Sequence, residues 1–159
     1  MTGVPFGEGP LQEGPLFLSL VGVFCYWTSN TFSEEGLMIE AQRRMAEILA
    51  DMGREVRGLE SVLLVDEDGF VLSRWGDLRV DEEFIGGVIA ALVGMTRKTA
   101  DQLALGPREW IGVHGKEKRI FLWEVTPSVT LAAVATPQAT TGLLLVVAPK
   151  VIQRLKEVV

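Results

Sequence analysis

The stretch that most constrains this chain is Glu60 to Trp75. There Ser61-Val62-Leu63-Leu64-Val65 runs into Asp66-Glu67-Asp68-Gly69 and is followed at once by Phe70-Val71-Leu72-Ser73-Arg74-Trp75. The first run is too short and too rich in β-branched residues for a helix, and reads as a buried strand. The acidic turn sends the chain back, and Gly69 supplies the positive φ that tight hairpin turns need. At least one antiparallel pair is therefore present, and the remaining elements must be arranged around it.

Before the hairpin, Ala41, Met45, Ile48, Leu49, Met52 and Val56 recur at three- and four-residue spacing between charged residues. That pattern predicts an amphipathic helix over Ile39 to Arg57, with Gly58 just past its end. After the hairpin, Gly76 to Val80 is a polar connection. Asp81 can cap a helix whose first turn carries Glu82 and Glu83, both favourable to the helix dipole. This long helix runs to about Leu105, where Gly106-Pro107 stops it. Strands follow at Glu109 to His114, Arg119 to Val125 and Val129 to Ala135, separated by Gly115-Lys116-Glu117-Lys118 and Thr126-Pro127-Ser128. A last helix is expected from about Pro149 to Val158, because proline suits the first turn of a helix better than its interior. A start as early as Gly142 is the alternative. The order α-β-β-α-β-β-β-α implies an α+β domain with one five-stranded antiparallel sheet and helices packed on it. Its expected span is residues 38–159.

Residues 1–37 read differently. They carry Glu8, Glu13, Glu34 and Glu35 with no Lys or Arg, so the rest of the chain is nearly balanced, with 17 acids against 15 bases. The segment is Gly- and Pro-rich up to Pro15, then apolar from Leu16 to Trp27. Twelve apolar residues make about 18 Å of helix, short of the roughly 30 Å hydrocarbon layer, so no integral membrane span is expected. A secretory signal would need a positive n-region and a small-residue cleavage site, and neither is present. The segment is expected to lie outside the domain, disordered or loosely packed. Alternatively, Met38 is the natural start, preceded by codons for Ser33-Glu34-Glu35-Gly36-Leu37. A cytoplasmic location is expected.

Composition excludes several chemistries. Cys25 and His114 stand alone, which leaves no disulfide framework, no zinc pattern and no thiol–imidazole pair. Asp66-x-Asp68-Gly69 lacks the ligand spacing and distal Glu of a calcium loop. Glu82 and Glu83 face different directions at a helix start, so they are not an acid/base pair. Neither phosphate-binding glycine motif occurs. The net charge of −6 argues against nucleic acid as a partner. No catalytic residue, metal ligand or cofactor is expected.

The long helix holds the anomaly. Gly86, Gly87 and Gly94 lie in its body, each costing about 1 kcal/mol relative to Ala. At 100° per residue, Ile85, Val88, Ile89, Leu92, Thr96, Thr99 and Leu103 form a stripe suited to the sheet, while Gly86, Ala90 and Gly94 form a smooth ridge away from it. Small residues permit close approach by another helix, which makes the ridge a candidate face for a second protomer. Packing inside the protomer is the competing use.

The element order, the run Gly58 to Ser73, the small-residue helix after Asp81 and the Thr141-Gly142 step before the final helix resemble the Roadblock (dynein light chain) family and, within it, its MglB-like bacterial regulators. The resemblance covers about residues 40–158. It implies a Roadblock/profilin-like sandwich that dimerises through the second helix and the strand after it. Here it points to Gly86, Ala90, Val93, Gly94 and Arg97, with Trp110, Ile111 and Val113 on the strand. It further implies a homodimer that binds a Ras-like small GTPase or serves as a scaffold, stimulating GTP hydrolysis without contributing a catalytic residue. Were an arginine finger supplied, Arg97 would be the candidate by exposure. The apolar N-terminal segment and Pro149 depart from the family pattern. A second function class, a PAS/profilin-like small-molecule sensor, would need a cavity lined by Trp75, Trp110 and Trp123.

Overall fold

Asp66 closes the hairpin with its own side chain: one carboxylate oxygen accepts from the backbone N–H groups of Asp68 (3.0 Å) and Phe70 (2.8 Å), while Gly69 adopts φ +92°. The carboxylate that superficially suggested a calcium loop is thus spent on the turn. The structure, a computed structural model, describes residues 15–159, with side chains from Glu35 onward. The Gly- and Pro-rich start of the chain, and the packing of the apolar run Leu16 to Trp27, lie outside the described residues. By internal contacts the chain forms two units, Met1–Met38 and Ile39–Val159.

The elements are α1 (Pro15–Glu55), β1 (Leu59–Asp66), β2 (Val71–Gly76), α2 (Glu82–Gln102), β3 (Ile111–His114), β4 (Arg119–Thr126), β5 (Val129–Ala135) and α3 (Thr141–Leu155). The order is the one expected, and the five strands form one antiparallel sheet in the order β2-β1-β5-β4-β3. Alternation of side chains along each strand divides the domain into two apolar layers. On one face, Val62, Leu64, Phe121, Trp123, Leu131 and Ala133 pack with Met45, Leu49 and Met52 of α1 and Leu144, Val147 and Val151 of α3. On the other, Leu63, Val65, Leu122 and Ala132 pack with Ile89 and Val93 of α2.

Two helix starts differ from expectation. The helix predicted from Ile39 extends back to Pro15. The last helix begins at Thr141, so Pro149 lies inside it rather than at its start. Leu143 to Val147 has the composition of a strand, yet Leu144, Val147, Ala148, Val151 and Leu155 are all buried at helical spacing, and that burial decides the conformation. Pro149 sits on the exposed side, where water can reach the Leu145 carbonyl that proline leaves without its donor.

Candidate interaction surface

Asp81 starts α2 as expected, its carboxylate accepting from the Phe84 N–H at 3.0 Å, with Glu82 and Glu83 in the first turn. From there the helix crosses the tip of the hairpin. Gly86 is buried beneath it, so close that a Cβ at residue 86 would stand 1.9 Å from the Gly69 carbonyl oxygen. The first glycine of the ridge is therefore required inside the protomer. Val93 is also interior, 5% exposed and packed in the layer under α2. Gly86 and Val93 are thereby removed from the outward face to which the sequence assigned them.

This contact sets the rotation of α2. Ile85, Ile89 and Leu92 of the expected stripe pack on the sheet, joined by Gly86 and Val93, and Ala100 is buried, whereas Val88, Thr99 and Leu103 of that stripe are exposed. Relative to the reading from periodicity, the helix is turned by roughly 50°. The outward side then carries Phe84, Val88 and Met95, which are 65%, 45% and 66% exposed, with Ala91 between them. These exposed apolar residues were missed, because periodicity finds an apolar side but does not see the glycine that lets the hairpin tip sit against another. Ala90 and Gly94 are half-buried, and nothing lies within 4 Å of where a Cβ of Gly94 would be. A side chain at residue 94, like one at residue 87, would therefore meet open space.

At the sheet edge, β3 is four residues long and begins at Ile111, two residues later than expected. Ile111 is half-buried and Val113 is 49% exposed. Trp110, just before the strand, is 37% exposed, and its ring lies 5.9 Å from that of Phe121. The outer side of β3 pairs with no strand of the sheet.

Arg97 is engaged rather than free. Its guanidinium holds Glu124 at 2.6 Å and donates to the Pro127 carbonyl, while Arg108 holds the other Glu124 oxygen at 2.5 Å. The exposure that made Arg97 the candidate finger is absent: its side chain is one-third exposed and already occupied. The three tryptophans of the sensor reading do not share a cavity. Trp110 and Trp123 meet in a cleft of about 330 Å³ beside α3, while Trp75 lies over Gly53 of α1. Among the described residues, no group of three or more His, Cys, Asp or Glu side chains is placed to hold a metal ion, and no helix is long and apolar enough to cross a membrane.

The family model of the Roadblock/LC7 domain matches residues 45–135, from the buried half of α1 through β5. The chain belongs to the Roadblock/LC7 family. Among solved structures, this Roadblock/LC7 chain is similar to the gliding protein MglB of Thermus thermophilus, with a TM-score of 0.66 and 20% identity over 74% of this chain and 90% of that one. Myxococcus xanthus MglB gives a TM-score of 0.68 and 16% identity over 72% and 86%. An MglB solved in a tetrameric arrangement gives 0.67 and 20% over 74% and 89%. At such identities the likeness is one of fold. No curated protein matches the sequence.

Proposed function

We propose that this Roadblock/LC7 chain is a non-catalytic homodimer that regulates or scaffolds a Ras-like small GTPase in the cytoplasm, stimulating hydrolysis by rearranging the GTPase's own machinery. Two copies meet along the outward side of α2 and the β3 edge, through Ala90, Gly94, Trp110, Ile111 and Val113, with Arg97 at the margin. Gly86 and Val93 support that face from within.

The observation that carries the reading is Gly94. A glycine in a helix body costs about 1 kcal/mol, and a Cβ at this one would meet nothing within 4 Å, whereas Gly86 is explained by the hairpin. Farther round the outward side, Val88 and Met95 expose apolar surface that a second protomer would bury. The tetrameric arrangement of one solved MglB is consistent with a fold that self-associates.

Light scattering with circular dichroism tests the interface: the wild type should be a dimer, and Gly94→Leu a folded monomer. A folded Gly94→Leu dimer would remove α2 from the interface. For the GTPase, the purified chain should raise the hydrolysis rate of a Ras-like partner from the same organism in single-turnover assays; an unchanged rate alongside measured binding leaves scaffolding and removes activation.

A further inference from the structure

The strand registers place Ser61, Val134, Ile120 and Val113 side by side across β1, β5, β4 and β3. The next row inward on the same face, Leu63, Ala132, Leu122 and Ile111, belongs to the layer covered by α2. The Ser61 row lies at the margin of that cover, with Ile120 and Val134 only partly buried against it. Leu78, Val80 and Ile85, from the connection into α2 and its first turns, stand over it with Asp77 and Arg79, and a cleft of about 350 Å³ remains between them and the sheet. Ser61 is 2% exposed, and its hydroxyl has no hydrogen-bond partner among the described residues. A buried hydroxyl is ordinarily paired, since leaving it unmade carries a standing cost.

We propose that this cleft binds a small neutral molecule with an apolar body and one hydrogen-bonding group, the latter directed at Ser61. A hydroxyl both donates and accepts, so a phenol, alcohol or carbonyl satisfies it. The volume sits at the low end of the range for small-molecule sites and suits a single substituted ring. Neutrality follows from the charges around the cleft, where each carboxylate has a cation beside it and the remaining cation is directed elsewhere. Lys118 holds Glu60 at 2.5 Å, and Arg79 faces Asp77 at 4.0 Å with both side chains in water. Arg119 turns to the Thr141 hydroxyl at 3.5 Å, towards α3 on the opposite face. Among the described residues lining the cleft, Arg119 is the one cation without a carboxylate partner, and its guanidinium is turned to the opposite face of the sheet, away from a ligand beside Ser61. The site is built from one protomer's residues and does not rest on self-association.

The test is an amide-resolved NMR titration of the full chain with p-cresol, and in parallel with p-xylene, which has the same ring without the hydroxyl. Saturable shifts centred on Ser61, Leu78, Ile120 and Val134 are expected with both. Ser61→Ala should weaken p-cresol by up to about tenfold while leaving p-xylene within about twofold. Val134→Phe should fill the cleft and abolish the shifts; Val80→Trp, at an exposed roof position, serves if the phenylalanine variant does not fold. Non-saturating or scattered shifts would overturn the site, as would shifts that survive a folded filling variant. Equal weakening of both probes by Ser61→Ala would overturn the role of the hydroxyl.

Discussion

The carbonyl oxygen of Gly69 and the α-carbon of Gly86 are in such close approach that no side chain fits between the hairpin tip and α2. One consequence separates two glycines of the same helix. Gly86→Ala should lower stability by roughly 1–3 kcal/mol through overpacking, despite the better helix former. Gly94→Ala, which meets nothing within 4 Å, should raise the stability of the isolated protomer by up to about 1 kcal/mol. Denaturant unfolding at low protein concentration measures both, and a neutral Gly86→Ala would contradict the contact.

Glu124 neutralises two guanidinium groups, Arg97 and Arg108, whose side chains are 33% and 20% exposed. Glu124→Gln leaves both cations half-buried without a counter-charge. Because water still reaches them, the loss should be below that of a fully buried pair, about 1–3 kcal/mol, again by denaturant unfolding. An unaltered midpoint would mean that the pairs are solvent-screened and hold nothing.

Asp51 of α1 faces Arg154 of α3 at 2.9 Å and Arg54 at 2.5 Å. These hydrogen bonds, the one from Arg154 foremost, hold its carboxyl below the ordinary carboxylate range. A depressed folded-state value contributes stability above the unfolded pKa, near about 3.9, and that contribution disappears as pH falls through the folded value. Similarly, Arg43 and then Arg44 hold Glu40 at about 2. Arg154→Gln should move the Asp51 titration, followed by carboxyl NMR, up towards the ordinary range. A midpoint that does not move would exclude the α1–α3 pair.

Residues 38–159 are expected to fold without the preceding segment, since among the described residues the domain's apolar layers are formed by Met45 and residues beyond it. A chain starting at Met38 should keep its near-ultraviolet circular dichroism and an unfolding free energy within about 0.5 kcal/mol of the full chain, the range typical of changes away from a core. Loss of cooperative unfolding would show that residues 1–37 belong to the fold. Intact-mass measurement of the native protein bears on the Met38 start, which a mass matching residues 1–159 would exclude.

Local chemistry determined much of this protein. The Asp66 to Gly69 turn, the Asp81 cap, the amphipathic run from Met45 to Val56 and the strands on either side of Thr126-Pro127-Ser128 are each specified by residues within a few positions of one another, so they could be read directly. The strand order β2-β1-β5-β4-β3, the rotation of α2, the helical state of Leu143 to Val147 and the cleft above Ser61 came only from tertiary structure. Each depends on a pairing between residues far apart in sequence: Gly69 with Gly86, Leu144 with the sheet, Ser61 with Val134. Periodicity records that a helix has an apolar side, but which neighbour that side meets is settled by close packing across the whole domain.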